Sequence, residues 1–350
     1  MTVDLSALDK APRLLFEIPL KPVQGQRFQP TGFPGLGAAT FQTAQGLCLL
    51  VESAQSMANR LELTCWDETK QDTRTELQGI SHVRVMRGLG STEKDRKASK
   101  EARYLTDSMT ESHRINSPYL LEGNDKAFFN VLKAELGGLA EGPIDRRILA
   151  EKLFKLDANS LIHGAFLAKK DLAGGRLRIA RALSSFIEAD GVRVAASGGV
   201  KNDHVNPQGV TKAGFGNVPF ARDEFTAERI TLYANLDLGQ IRGYGLGSDA
   251  ERLLILLSLY KLRVLVDSPL RLRAACDLDV ATQAIAAQRP AGFALPSAQE
   301  LADGLRATIE ACGGAMTVTE IRFDDDLKKG KDDDNPEESA GEGAADANES

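Results

Sequence analysis

The chain has 350 residues, of which 42% are hydrophobic, so it can bury the core of one large domain or two. No apolar run reaches the roughly 18 residues of a membrane span, and the N-terminus lacks the basic and apolar segments of a signal peptide. Four scattered cysteines indicate neither a disulfide framework nor a zinc site. We therefore expect a cytoplasmic protein with reduced thiols.

The net charge of −6 is concentrated at the C-terminus. Residues 324–350 contain 11 acidic and 3 basic residues, whereas residues 1–323 contain 38 acidic and 40 basic residues. The C-terminal segment has no aromatic residue and almost no aliphatic one, so it cannot bury enough surface to fold. We predict a disordered acidic tail at 324–350, which either keeps the protein soluble or competes with nucleic acid for a basic groove.

The N-terminal half combines strand and helix patterns. They predict a strand at Arg13–Leu20, a glycine- and proline-rich loop at 21–37, a helix at Leu47–Leu61 and a short strand at Ser81–Met86. The predicted helix has aliphatic side chains on one face and the polar side chains of Gln55, Asn59 and Arg60 on the other. A plain exposed helix usually carries more Glu and Lys than amides, so this face favours binding.

Residues 84–114 differ from their surroundings because they are poor in aliphatic side chains and contain 8 basic and 5 acidic residues. We call this segment the basic insertion. Its composition is typical of a mobile surface insertion or of an element that becomes ordered on a polyanion.

The C-terminal half alternates between helices and strands. The pattern predicts helices at 124–139, 145–154, 253–266 and 298–312, and strands at 192–196, 230–238, 270–276 and 316–323. Long irregular segments separate these elements, and loops of such length within a domain are usually functional. The mixture indicates an α+β fold with a small mixed or antiparallel sheet.

A glycine-rich segment follows the predicted strand at 230–238 and precedes the apolar helix. It contains Arg242, Gly243, Tyr244 and Gly245. Strand, glycine loop and helix together bring backbone N–H groups close to an anionic ligand. A dinucleotide site does not fit, because the spacing is G-x-G-x-G and the next strand has no acidic residue for the ribose about 20 positions later. Asp267 is at that distance but ends the turn between helix and strand. We therefore predict that the loop approaches another phosphate-bearing ligand.

Three further clusters offer hydrogen-bond donors to phosphate and ribose. They are His113, Arg114 and Asn116; Lys201, Asn202 and His204; and Arg176 with Arg178, which would share a face in a strand. Surface ion pairs explain the arginines equally well. No histidine spacing indicates a zinc site, and the carboxylates do not cluster as two-metal phosphodiester chemistry requires. His163 lies among apolar residues, as a core histidine would.

Seven sequence blocks, in this order, resemble one protein family. They are TGFPGLGAA (31–39), VESAQSMANRLE (51–62), HRINSPYL (113–120), DANSLIHGAFLA (157–168), ASGGVKNDHVNP (196–207), GFGNVPFARDEFTA (214–227) and NLDLGQIRGYGLG (235–247). The family is the CRISPR-associated RAMP-superfamily backbone subunit of the type I-U (I-G) effector complex, or Cascade. The resemblance extends from about Leu14 to Asp279 and does not include the acidic tail.

The resemblance implies a modified RRM-like (ferredoxin-like) palm within residues 1–323, with insertions that form finger and thumb regions. The basic insertion would be one of them. Subunits of this family oligomerise along the guide RNA (crRNA) and hold its backbone without base specificity. The implied partners are crRNA, other copies of the chain, other subunits of the complex, and a target DNA strand paired with the guide. The palm helix and the glycine loop face the RNA in such folds, which implicates Gln55, Asn59, Arg60 and residues 243–247.

We expect no enzymatic activity and no cofactor. A subunit that holds any guide needs phosphate and ribose contacts, while base pairing provides sequence recognition. The chain also lacks the aromatic RNA-stacking signature of ordinary RRMs. The alternative is a RAMP ribonuclease that cuts target or repeat RNA with a metal ion and a loop aspartate, either Asp157 or Asp203. Neither aspartate has an obvious second carboxylate partner in the sequence.

Overall fold

The computed structural model describes residues 3–33, 37–44, 46–140 and 142–327. Its strands are β1 (Arg13–Pro22), β2 (Gly32–Phe33), β3 (Gly37–Ala38), β4 (Thr40–Thr43), β5 (Gly46–Glu52), β6 (Trp66–Asp67), β7 (Asp72–Thr73), β8 (His82–Gly88), β9 (Ala102–Asp107), β10 (Ala165–Leu167), β11 (Leu177–Ile179), β12 (Leu183–Asp190), β13 (Arg193–Lys201), β14 (Val218–Thr226), β15 (Arg229–Asp237), β16 (Leu270–Arg273), β17 (Cys276–Val280) and β18 (Val318–Arg322). Its α-helices are α1 (Ala54–Leu63), α2 (Glu93–Ala98), α3 (Pro118–Leu121), α4 (Ala127–Leu136), α5 (Arg146–Leu156), α6 (Asn159–His163), α7 (Leu238–Gly243), α8 (Ser248–Asp267) and α9 (Ala298–Cys312). From residue 328 onward, the predicted acidic tail lies outside the described residues.

An antiparallel sheet of seven strands forms the centre of the fold, in the order β16–β17–β1–β15–β12–β5–β4. Successive side chains of a strand point to opposite faces, and β1 accordingly buries Leu14, Phe16 and Ile18 on one face. Helix α1 packs against β12 and against α8, so helices and sheet share one hydrophobic core. The predicted α+β class is confirmed.

Helix α8 packs on this core and is buried over most of its length. Every residue from Leu253 to Leu262 is buried, because the sequence there is apolar around the whole circumference of the helix. Lys261 is the charged residue in this buried stretch, and its ammonium group lies inside the protein. Among the helices of the described ranges, none combines the length and the apolar character that a membrane crossing requires.

Five smaller sheets accompany the central one in the described ranges, and β2–β3 and β6–β7 are the shortest of them. In a three-stranded sheet, β8 pairs with β9 antiparallel and with β18 parallel. This sheet and α2 contain most of the basic insertion, which is folded. Strands β13 and β14 pair along their whole length to form a hairpin arm at 193–226. Strands β10 and β11 form a short ribbon.

The prediction of one helix at Leu47–Leu61 is wrong in its first half. Residues 46–52 form strand β5, which pairs with β12 on one side and β4 on the other. The helix begins only at Ala54, after Ser53, whose side chain accepts a hydrogen bond from the Ser56 N–H group (3.3 Å) as an N-cap. The run of apolar residues before Ser53 suits a strand buried in a sheet as well as a helix, and strand pairing decides the outcome.

The glycine segment at 239–247 also differs from the prediction. A short helix, α7, follows β15 directly, where we expected an open loop. Asp237 caps α7 by accepting a hydrogen bond from the Gln240 N–H group (2.8 Å). Only residues 244–247 connect α7 to α8, and Gly247 occupies the N-cap of α8.

Candidate nucleic-acid interface

An open cleft of about 520 Å³ lies between the β10–β11 ribbon, the turn at 112–116 and the connection from β11 to β12. Its polar and charged lining residues are Ser112, His113, Arg114, Asn116, His163, Arg178 and Arg181. These residues come from three separate parts of the sequence. Four of them belong to the donor clusters that the sequence predicts.

A glycine holds the ribbon against the connection that follows it. Gly164 has a φ of +84°, and a Cβ atom placed on it would lie 2.9 Å from the Ile179 carbonyl oxygen and 3.2 Å from the Arg181 nitrogen. Only glycine accepts both this backbone conformation and this approach. The Ala182 N–H group donates to the Ile162 carbonyl (2.8 Å), which fixes α6 beside the start of β12.

The wall of the cleft rests on a buried network of charges around Glu62. Arg114 donates from Nε and Nη2 to both carboxylate oxygens of Glu62, at 2.6 and 2.8 Å. Asn159 Nδ2 donates to Glu62 Oε1 (2.7 Å), and Asn159 Oδ1 accepts from Lys261 Nζ. Lys261 Nζ also lies 3.0 Å from His163 Nε2. Two buried cations therefore depend on one glutamate, directly or through an amide.

The hydrogen bond from Lys261 fixes the tautomer of His163. An ammonium group can only donate, so Nε2 of His163 is the acceptor and its ring proton resides on Nδ1. Burial, followed by the charges of Lys261, Arg114 and Arg181, lowers the pKa of His163 well below its usual range. His163 is thus a neutral ring with an N–H donor at Nδ1. This donor has no hydrogen-bond partner.

Two other buried polar atoms at the cleft have no partner within the described residues. They are Asn116 Oδ1 and Arg181 Nε. Arg181 uses Nη1 to donate to the Ala54 carbonyl at the start of α1 (3.1 Å). Arg178 is exposed, with its guanidinium 4.4 Å from the centre of the Phe166 ring. The cleft therefore combines cationic groups with buried polar atoms that still need partners.

The predicted residues His113, Arg114, Asn116 and Arg178 do lie together in this cleft. Arg114 lines the cleft and also donates to the Glu62 carboxylate, so part of its role is structural. Arg176 lies outside β11 and does not line the cleft, because its side chain donates to the carbonyls of Ala173 (3.1 Å) and Ala140 (3.2 Å). The contact of these residues with RNA stays a prediction.

On the polar face of α1, two side chains are exposed and a third is hydrogen-bonded within the fold. Gln55 and Asn59 are exposed. Arg60 instead lies 3.4 Å from the buried Glu52 carboxylate and donates to the Leu272 carbonyl (2.6 Å), which ties α1 to β16. The RNA contact of Arg60 stays a prediction, and the fold gives this side chain a partner some 200 residues away that the sequence could not indicate.

Two side chains of the glycine segment donate hydrogen bonds to backbone carbonyls within the fold. Arg242 donates to the carbonyls of Leu8 (2.6 Å) and Ala11 (2.8 Å). Tyr244 is buried and donates to the Leu161 carbonyl (2.8 Å), and burial raises its pKa to about 12. Arg242 and Tyr244 therefore have structural partners in the fold, Gly243 and Gly245 are exposed, and the RNA contacts of all four stay a prediction.

Gly245 retains a conformational role. Its φ is +65°, and a Cβ atom there would lie 3.5 Å from Arg147 Cδ, an ordinary contact distance. The glycine is thus required by the backbone conformation more than by a lack of space. Neither it nor Gly243 lines the cleft.

Lys201, Asn202 and His204 lie far from the cleft in sequence and in the fold, at the exposed end of the hairpin arm. Asp203 organises this end, because its carboxylate accepts hydrogen bonds from the backbone N–H groups of Val205 (2.9 Å), Asn206 (3.0 Å) and Gly216 (2.8 Å). These bonds lower the pKa of Asp203.

Both aspartates of the ribonuclease alternative accept hydrogen bonds within the chain. Asp203 holds the loop just described. Asp157 is fully buried, accepts from Ser160 Oγ (2.6 Å), and has its pKa raised to about 6 by burial. In the part of the chain that the structure describes, no group of three or more His, Cys, Asp or Glu side chains is arranged to hold a metal ion.

Three cations of the basic insertion bind residues 323–326, where the acidic tail begins. Arg87 donates to the Phe323 carbonyl (3.1 Å), and Arg96 donates to the Asp324 carbonyl (2.8 Å) and pairs with Asp326. Lys97 lies 3.2 Å from Asp325. The basic character that the sequence suggests for this segment is therefore partly neutralised within the chain.

The chain was compared with protein families, curated proteins and solved structures. A family model described as CRISPR-associated protein GSU0053 matches residues 14–194, or 181 of the 350 residues. Among solved structures, the chain is similar to one described as "CRISPR RNA-guided surveillance complex, pre-nicking", with 14% sequence identity and a TM-score of 0.36 over 76% of this chain and 75% of that chain. No curated protein matches. The family match confirms the CRISPR-associated resemblance drawn from the sequence blocks.

Proposed function

The chain belongs to the CRISPR-associated GSU0053 family, and from this premise we propose that it is a crRNA-binding backbone subunit of a type I interference complex, specifically of the I-U (I-G) type. Copies of the chain would oligomerise along the guide and present it to a target DNA strand, beside other subunits of the complex. The observation that carries the proposal is the cationic cleft on a chain of this family.

The charges at the cleft favour an anionic ligand. Lys261, Arg114 and Arg181 are cations close to His163. The Glu62 carboxylate accepts hydrogen bonds from Arg114 and from Asn159. Phosphate oxygens accept from guanidinium groups with favourable geometry. Contacts of this type position a nucleic-acid backbone without distinguishing its bases, as a subunit that accepts any guide requires.

We assign the palm to the central sheet with α1 and α8, as a modified RRM-like fold, and the thumb to the hairpin arm. The arm exposes large apolar side chains along its length, including Val205 (95% exposed), Phe215 (55%) and Phe220 (52%). Isolated apolar residues on a surface are common, but a projecting hairpin with several of them suits contact with another macromolecule. The arm is thus suited to insert between base pairs or to pack on a neighbouring copy.

We further propose that the chain is not an enzyme. The buried position of Asp157 and the loop-holding bonds of Asp203 support this view, because a catalytic carboxylate must reach the substrate or a metal ion. With Mg²⁺ or Mn²⁺ present, bound guide and complementary target RNA should remain intact. Cleavage that Asp157→Ala or Asp203→Ala abolishes would favour the ribonuclease alternative.

The proposed function is tested by purifying the chain with and without crRNA, then measuring particle mass and the ratio of absorbance at the nucleic-acid and protein maxima. We expect RNA-dependent oligomers. Affinity for single-stranded RNA should fall linearly with salt on a log–log plot and vary little with sequence. Since residues 1–323 have an excess of only two basic residues, a single copy should bind weakly and stacking should be cooperative. A chain that stays free of RNA, or one that prefers a single base order, would contradict the proposal.

A further inference from the structure

The cleft contains a buried donor and a buried acceptor that both lack partners. His163 is 2% exposed and its Nδ1–H donor is unsatisfied, as Lys261 forces the proton onto that atom. Asn116 Oδ1 is an unsatisfied acceptor. Both residues line the same cleft. Buried polar atoms without partners are rare in folded proteins because they lose water without gaining a hydrogen bond, so a pair of them beside one opening indicates a ligand.

The complementary nature of the two atoms restricts the ligand. A phosphate oxygen could accept from His163 Nδ1 but could not donate to Asn116 Oδ1. A hydroxyl group does both, because it has one proton to donate and lone pairs to accept with. A hydroxyl group therefore matches this pair, whereas a phosphate oxygen matches the donor alone.

The arginines beside this pair restrict the ligand further. Arg178 and Arg181 line the same cleft, and Arg181 Nε is a third buried donor without a partner. Guanidinium donors favour an anion. A hydroxyl next to an anion is what each ribonucleotide of an RNA chain presents, since its 2′-hydroxyl lies close to the adjacent phosphate.

We propose that the cleft binds one ribose 2′-hydroxyl, through His163 and Asn116, together with the neighbouring phosphate, and that it thereby selects RNA over DNA. The 2′-hydroxyl is the group that distinguishes the two nucleic acids at a single site. This proposal rests on the proposed function, since it names the part of the guide that the cleft recognises.

The test compares oligonucleotides of one sequence made as RNA, as DNA and as 2′-O-methyl RNA, each short enough to hold one copy of the chain. The full chain should bind RNA on the order of tenfold more tightly than the other two, because one missing hydrogen bond leaves a buried group unpaired. The 2′-O-methyl form keeps the acceptor oxygen but cannot donate to Asn116, so it examines the donor alone without any change to the protein.

The variant Asn116→Ala removes the acceptor while the arginines remain. Its RNA affinity should fall to about that for DNA, and its DNA affinity should stay that of the parent. A matched control is Asn130→Ala, an exposed amide on α4, which should keep the preference for RNA. If Asn116→Ala does not fold, as judged by circular dichroism, the comparison of RNA with 2′-O-methyl RNA on the parent chain decides the question.

The two proposals fail in different ways. Equal affinity of the parent for RNA and 2′-O-methyl RNA, or an unchanged preference in folded Asn116→Ala, overturns the hydroxyl site and leaves guide binding intact. Displacement of the oligonucleotide by AMP at concentrations near those of the RNA itself would overturn it in favour of a mononucleotide site. An absence of binding to any of the oligonucleotides overturns the proposed function.

Discussion

Residues 84–107 of the basic insertion and the cleft, which residues 112–114 of the insertion help to line, both contain several cations, but their charges are balanced differently. In the insertion, Arg87 and Arg96 donate to residues 323–326, and Lys97 lies between Glu93 and Asp325. These cations already have acidic or carbonyl partners in the chain.

Lys261, Arg114 and Arg181 all lie near His163, and among the described residues Arg114 is the one of these three that binds a carboxylate directly. Glu62 is shared by Arg114 and, through Asn159, by Lys261, and Arg181 has a buried Nε without a partner. The difference teaches that a count of basic residues along the sequence is a poor guide to a nucleic-acid site. What attracts an anion is positive charge left uncompensated by the fold.

The largest expected effect comes from Glu62→Gln. Removal of this carboxylate leaves Arg114 and Lys261 without their anionic partner in a buried place, and a broken buried pair typically costs about 3–5 kcal/mol. Urea denaturation measures the loss in free energy of unfolding.

The matched control is Glu93→Gln in the basic insertion, where the partner Lys97 is about half exposed. Exposed pairs contribute about 0–1 kcal/mol. Equal losses for the two variants would remove the distinction between the regions.

A second effect concerns Asp157, which burial places at a pKa of about 6 against 3.8 for an unperturbed Asp. Because the folded state holds this proton more tightly than the unfolded state, Asp157 makes the protein less stable as pH rises from about 4 to about 6. Asp157→Asn removes that contribution. Its free energy of unfolding relative to the parent should rise between pH 4 and pH 7, by up to about 3 kcal/mol.

Asp203 on the hairpin arm provides the control of opposite sign. Its pKa is lowered by backbone N–H groups, so it stabilises the folded state above the unfolded pKa, and this contribution is lost as pH falls through the folded value. Asp203→Asn should therefore become less stable than the parent as pH rises. Urea denaturation at both pH values measures these differences, and a pH-independent difference for Asp157→Asn would show that its burial has no electrostatic cost.

The third effect is on RNA affinity and separates the two regions directly. Arg178→Ala removes an exposed cation from the cleft and should weaken RNA binding by about 1.5–3 kcal/mol, the range for hydrogen bonds to charged groups. The slope of log affinity against log salt should decrease by about one. Fluorescence anisotropy at several salt concentrations measures both quantities.

Arg96→Ala in the insertion should leave RNA affinity unchanged and lower thermal stability, because Arg96 binds Asp324 and Asp326. A larger loss of RNA affinity in Arg96→Ala than in Arg178→Ala would place the interface on the insertion.

The smallest expected effect separates neighbours on α1. Asn59→Ala should change stability by less than about 0.5 kcal/mol, as exposed substitutions usually do, and should reduce RNA affinity by about 0.5–1.5 kcal/mol if the helix contacts the guide. Arg60→Ala should instead lower stability, because Arg60 neutralises the buried Glu52. Intact RNA affinity in a folded Asn59→Ala variant would exclude this face from the interface.

Local signals determined which elements the sequence predicted well. The helix at Ala298–Cys312 has the predicted bounds, since Ser297 and Glu300 form a capping box and the helix is amphipathic. The helix predicted at Leu47–Leu61 failed because Leu47 to Glu52 are paired with strands more than a hundred residues away or directly before them. Local periodicity does not contain that information.

The same limit applies to the site. His113, Asn116 and Arg178 were singled out from their polar neighbours and do meet in one cleft. Arg60 and Arg242 were singled out for the same reason but bind carbonyls elsewhere in the fold. Arg181 and His163 were not assigned to the site. The histidine is buried as expected, yet only the position of Lys261 reveals that its outer nitrogen is a donor.

The parallel pairing of β18 with β8 has a consequence for the biosynthesis of the protein. Val318 is aligned with His82, so the two strands are separated by 236 positions along the chain. While the ribosome is still adding the C-terminal residues, β8 has β9 as a neighbour but presents its other edge unpaired, and an unpaired edge favours association with other chains. The insertion thus reaches its native form only near the end of translation. A chain that terminates before Val318 would retain an unpaired strand edge on β8, which favours association with other chains.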